Sequence, residues 1–112
     1  MLGARDLTVS PSTAASAAAA TGGDTGSIDV AEICAPFTHQ HLILTEAIGL
    51  PASTTVNPSG GALAANPMFS AGLERIGFAA QHIWHGTAQR ALAHATSGPA
   101  LQQNLVAVME GR

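Results

Sequence analysis

Lysine is absent from this chain, and its four positive charges are all arginines. Charged residues of either sign make up 10% of the sequence, against roughly 25% in an ordinary soluble domain. A formal charge of −3 without a basic cluster offers no counter-charge to a phosphate backbone or an anionic bilayer, which argues against nucleic acid and acidic membrane as partners. Apolar runs approaching the roughly 18 residues of a membrane span are missing too. Met1-Leu2-Gly3-Ala4-Arg5 lacks the charged region and apolar core of a secretory signal. A single cysteine, Cys34, cannot form an internal disulfide and fits a reducing compartment. These absences together place the chain in the cytoplasm.

What is present is apolar: 46% of the 112 residues are hydrophobic, which sets a single domain or part of one, residues 1–112. So few charges cannot cover the surface of a small isolated domain, so part of that surface is expected to lie against other protein. The bland alternative is that the many alanines inflate the hydrophobic count.

Local patterns give an alternating order of elements. Ser10-Pro11 is a helix start, with Ser10 capping and Pro11 in the first turn. The run from Ser12 to Ala20 continues that helix without a bulky side chain, so it must pack closely on a neighbour. Ile28, Val30 and Ile33, with Asp29 and Glu32 between them, predict a short strand with one wet face. A second helix starts at Pro36-Phe37-Thr38 and stops at Gly49 before Pro51. Thr54-Thr55-Val56 predicts another strand. The spacing Leu73, Ile76, Ala80, Ile83 predicts an amphipathic helix from Ser70 to about His85, with Gly77 and Trp84 on its partner stripe. Thr87 to Ala93 is expected to be helical, and Leu105 to Met109 a fully buried strand. Alternating strands and helices predict an α/β fold with a mixed or parallel sheet packed between helices.

The most specific stretch is Val56-Asn57-Pro58-Ser59-Gly60-Gly61-Ala62-Leu63-Ala64-Ala65-Asn66-Pro67. Asn57-Pro58 biases the backbone to a turn, and the paired glycines allow positive φ and close approach of another group. The stretch resembles the Asn-x-x-Gly-Gly-x-x-Ala-x-Gly-His-Pro signature of the thiolase superfamily. Ile28 to Phe37 is similar to that family's Asp-x-x-Glu-x-(Asn/His)-Glu-Ala-Phe segment, and Ala100 to Leu105 to the closing segment of sterol-carrier-type thiolases and their lipid-transfer relatives. The ordered segments cover nearly the whole chain from about Asp6.

The resemblance implies the carboxy-terminal half of a thiolase-like fold, incomplete because the half's first strand is missing. It implies an acyltransferase-like function in lipid metabolism, with carbon–carbon bond cleavage or formation on an acyl-CoA thioester, coenzyme A entering only as part of the substrate and no other cofactor. The departures limit that chemistry. Asn66 stands where the family has histidine, and Cys34 where it has the Asn/His that partners it; the nucleophilic cysteine belongs to the half this chain does not contain. The chain by itself is therefore expected to be inactive, a subunit or fragment completed by a chain carrying the missing amino-terminal half, in a hetero- or homo-oligomer. The alternative is a non-catalytic module that binds acyl-CoA or lipid, or stabilises a partner.

Six residues carry the expected site. Asn66 is the oxyanion-holding donor or else a loop tether; Cys34 is functional or else a small buried hydrophobe. His39 follows Phe37 into the segment that lines the pocket in thiolases. Asn57, Gly60 and Gly61 shape the substrate-binding loop. The pairs His39/His41 and His82/His85 lack the further ligands of a metal site, so no metal is expected.

Overall fold

The computed structural model describes residues 6–112; Met1 to Arg5, on which the reading of a targeting signal falls, lie outside the described residues. In chain order the elements are α1 (Pro11–Thr21), β1 (Val30–Ile33), α2 (Thr38–Ile48), β2 (Thr55–Val56), α3 (Gly61–Ala64), α4 (Ala71–Trp84), β3 (Arg90–Ser97) and β4 (Gln103–Glu110). The four strands form one mixed sheet in the order β2-β1-β3-β4. β1 runs parallel to both β2 and β3, while β3 and β4 form an antiparallel hairpin. The fold is thus α/β, with helices on both faces of the sheet.

The two faces bury different residues. On one, α1 and α2 cover Ala31, Ile33 and Leu92 with Ala17, Leu44 and Ile48. On the other, α4 covers Val30, Ala91 and Ala93 with Ala79, Ile76 and Ile83. As the absence of bulky side chains in α1 requires, its inner face is small: Thr13, Ala17 and Thr21 are buried at a spacing of four. That closeness lets Ser16 Oγ accept the outward N–H of Val106 at 3.0 Å, blunting the exposed edge of β4. The helix ends follow their glycines, with Gly22 and Gly49 both left-handed at the C-caps.

Five expectations are corrected. Residues 90–97 form β3 rather than continuing a helix from Thr87; Ala91, Ala93 and Ala95 favour helix locally, and pairing on both sides overrides that preference. β1 has no wet face, because all four of its residues, Glu32 included, are buried. β4 is half-buried rather than fully buried, as befits an edge strand covered on one face. In α4 the buried residues are Ala71, Arg75 and Ala79, whereas Leu73 is 72% exposed. Ser10, in turn, does not cap α1 through the backbone; its hydroxyl bonds Thr13 Oγ1 at 2.7 Å.

Candidate functional site

α2 carries the chain from β1 to β2 on one face, and α4 carries it from β2 past β1 to β3 on the other. The winding therefore reverses at β1, and in open α/β sheets the crevice beyond the carboxyl ends of the strands at such a reversal is where ligands bind. Three segments converge at that end: Cys34 to Phe37 after β1, Asn57 to Gly61 after β2, and Thr96 with Ser97 at the end of β3.

Asn57 extends the sheet by one step. Its backbone N–H donates to Ala31 O at 2.8 Å. Its side chain then imitates a strand neighbour: Oδ1 accepts the Ile33 N–H, and Nδ2 donates to Ile33 O at 3.2 Å. This use of the side chain goes with φ of +50°, which Asn tolerates better than most non-glycine residues. The glycines follow from it. A Cβ on Gly61 would lie 2.6 Å from Asn57 Nδ2, and one on Gly60 would lie 2.8 Å from the Ala64 Cβ, with φ at +61° and +90° respectively. The close approach that Gly60-Gly61 permits is made by the chain's own side chains.

Beneath the loop lies a buried polar cluster that sequence patterning misses. Glu32 is fully buried in β1, and its carboxylate accepts the Ser59 N–H at 3.2 Å and the Ser59 hydroxyl at 2.7 Å. Arg75, 2% exposed on α4, places NH1 3.5 Å from Glu32 and donates to Ser59 Oγ at 3.3 Å. Its guanidinium also lies 5.3 Å from the Phe78 ring centroid. The cluster ties β1, the glycine loop and α4 into one unit. The only signal for it in the sequence is an arginine between Ala71 and Ala79 at helical spacing, on the face that small residues mark as packed.

The expected site residues divide. Cys34, Asn57, Gly60 and Gly61 are brought together at the ends of β1 and β2. Cys34 is buried; burial pushes its thiol up from the ordinary cysteine value, against the opposing effects of the Thr96 N–H and the Arg75 charge. Burial thus disfavours the thiolate form that a nucleophile needs. His39 lies exposed on α2, its ring stacked on Phe37 at 5.8 Å. It is His41, two residues on, whose Nδ1 comes within 3.4 Å of Asn57 Nδ2. Asn66 lies exposed in the segment joining α3 to α4, and its side chain holds no hydrogen bond among the described residues. The start of α4 abuts the end of β3, since a Cβ on Gly72 would sit 2.7 Å from that of Ala95.

A second buried polar group lies across β3. His94 is fully buried, with Nε2 2.9 Å from Asn104 Oδ1. Asn104 Nδ2 donates to Ser12 Oγ and to Leu101 O, which leaves Oδ1 to accept and assigns the proton to Nε2. Burial holds this imidazole below its ordinary pKa, with the Asn104 bond acting the other way. Among the described residues, no three histidines, cysteines or carboxylates converge to hold a metal ion, and no helix is long and apolar enough to cross a membrane. Comparison of the chain with protein-family models, with curated proteins and with solved structures finds no match.

Proposed function

We propose that the chain is a subunit or fragment of a thiolase-like acyl-CoA enzyme, its glycine loop and Asn66 forming one wall of a thioester site that a second polypeptide completes. The observation that carries this reading is the contrast between the asparagines on either side of α3. Asn57 has spent its side chain on β1, whereas Asn66 presents an exposed amide that bonds nothing among the described residues. An amide N–H is suited to a carbonyl oxygen on which negative charge builds, and unsuited to carrying a proton. With Cys34 buried and its thiolate disfavoured, the nucleophile and the base belong to the second polypeptide, the one carrying the thiolase amino-terminal half. The reaction class is carbon–carbon bond cleavage or formation on an acyl-CoA.

Two measurements test this. The isolated chain should not thiolyse acetoacetyl-CoA, and mass spectrometry after incubation should find Cys34 unmodified; an acyl adduct on Cys34 would overturn the assignment of roles. In the assembled enzyme, Asn66→Ala should lower turnover about a hundredfold, the size of losing one oxyanion donor, without changing assembly. One observation favours a second reading: the shape of the glycine loop has an internal cause in Asn57 and Ala64. On that reading the chain is a non-catalytic module that binds acyl-CoA or lipid or stabilises a partner, and unchanged turnover in Asn66→Ala selects it.

A further inference from the structure

The outer face of α4 is apolar and uncovered. Leu73 and Trp84 are 72% and 86% exposed, and just before the helix Met68 and Phe69 are 79% and 103% exposed. Leu73, Gly77 and Trp84 fall at a spacing of four and seven, so they share one stripe opposite the buried Ala71, Arg75 and Ala79. Gly77 lies at the middle of the helix, and a Cβ there would meet nothing within 4 Å. A helix interior with glycine gives up about 1 kcal/mol relative to alanine, and nothing among the described residues uses the space gained.

We propose that this face pairs with its copy on a second molecule, two α4 helices crossing antiparallel about a two-fold axis at Gly77. The stripe is complementary to itself under that operation. At about 1.5 Å per residue within α4, Trp84 lies roughly 10 Å to one side of Gly77, and the helix start at Ala71 about 9 Å to the other. Each Trp84 therefore reaches the Ser70 end of the second copy's α4, next to the exposed Phe69 that precedes it, and each Leu73 lands on the Gln81 of the second copy. Absence of a Cβ at the axis lets the backbones approach closely. Glu74, the acidic residue of the first turn, falls opposite Ala80, so no like charges are opposed. An exposed aromatic side chain supplies about 150–250 Å² on burial, so two from each copy give roughly 600–1,000 Å². Leu73 and Met68 carry the total past the ~1,000 Å² at which specific interfaces begin. The pairing does not depend on the acyl-CoA reading.

Sedimentation velocity on the whole chain, from about 1 to 100 µM, should show a monomer–dimer equilibrium of the strength a small interface gives. Trp84, the one tryptophan of the sequence, reports the same event by a blue shift of its emission as concentration rises. Gly77→Leu and Trp84→Glu alter exposed positions and should leave the circular dichroism unchanged while abolishing the dimer. Gly77→Cys should form a covalent dimer on mild oxidation, and Ala18→Cys, exposed on α1, should not. A wild-type chain that is monomeric throughout, which would leave the face to a different partner, overturns the proposal. So do assemblies larger than two, or a dimer that survives Gly77→Leu.

Discussion

Glu32 and Arg75 show how one buried pair can hold a loop. The carboxylate sits in the middle of the sheet and is compensated three times, by two donors from Ser59 and by the guanidinium. Removing one member of such a pair leaves the other buried and unpaired, a cost of about 3–5 kcal/mol. That is a large part of the roughly 5–15 kcal/mol that stabilises a typical domain. Arg75→Met should therefore lower the stability measured in urea by about that much. Glu32→Gln/Arg75→Met should recover part of the loss, because the amide oxygen still accepts from Ser59 while the uncompensated charge is gone. If Arg75→Met costs less than about 1 kcal/mol, the ion pair does not anchor the loop.

The glycine loop joins three elements, and its shape depends on a contact within itself. Gly22 and Gly61 have nearly the same φ, +65° and +61°, but different surroundings. A Cβ on Gly22 meets nothing within 4 Å, so Gly22→Ala should cost only the left-handed strain, about 1–2 kcal/mol. Gly61→Ala should cost clearly more, because its Cβ would displace the Asn57 side chain from β1. Amide hydrogen exchange distinguishes the two: the Ile33 N–H, bonded to Asn57 Oδ1, should lose protection in Gly61→Ala and keep it in Gly22→Ala. Equal costs and an unchanged Ile33 amide would mean that the glycines serve something other than Asn57.

Across the whole molecule, what the sequence made legible was local. Pro11, Gly49 and the Thr54-Thr55-Val56 run set element ends that the backbone keeps, and alternation of strand and helix was enough for the α/β class. What it hid was decided by distant partners. Glu32 looked wet because Arg75 and Ser59, which make its burial tolerable, come from other elements. β3 looked helical because its alanines gain their strand pairing from β1 and β4. In α4 Leu73 pointed away from the packed face, which Ile76 and Ile83 share with alanines and a buried arginine. At the candidate site, the turn chemistry of Asn57 to Gly61 was readable, but that Asn57 rather than a ligand fills the space beside Gly61 was not.

Stability against pH is a property of the whole fold in which two groups act in separate windows. His94 has its folded pKa held below the ordinary 6.5 by burial. Above that value it is neutral folded or unfolded and contributes no pH dependence. As pH falls through about 6.5 the unfolded chain takes up a proton that the folded chain refuses, so stability is lost from there down to the folded pKa, about 1.4 kcal/mol for each unit of separation. Asp29 is held below 3.8 by the N–H groups of Arg90 and Gln89, so its contribution is present above 3.8 and is lost only in the acid range below it. Urea midpoints should therefore fall between about pH 7 and 5, and fall again at strongly acid pH. His94→Gln, whose amide can still donate to Asn104, should flatten the first decline and leave the second. A first decline that persists undiminished in His94→Gln would show that a group other than His94 drives it.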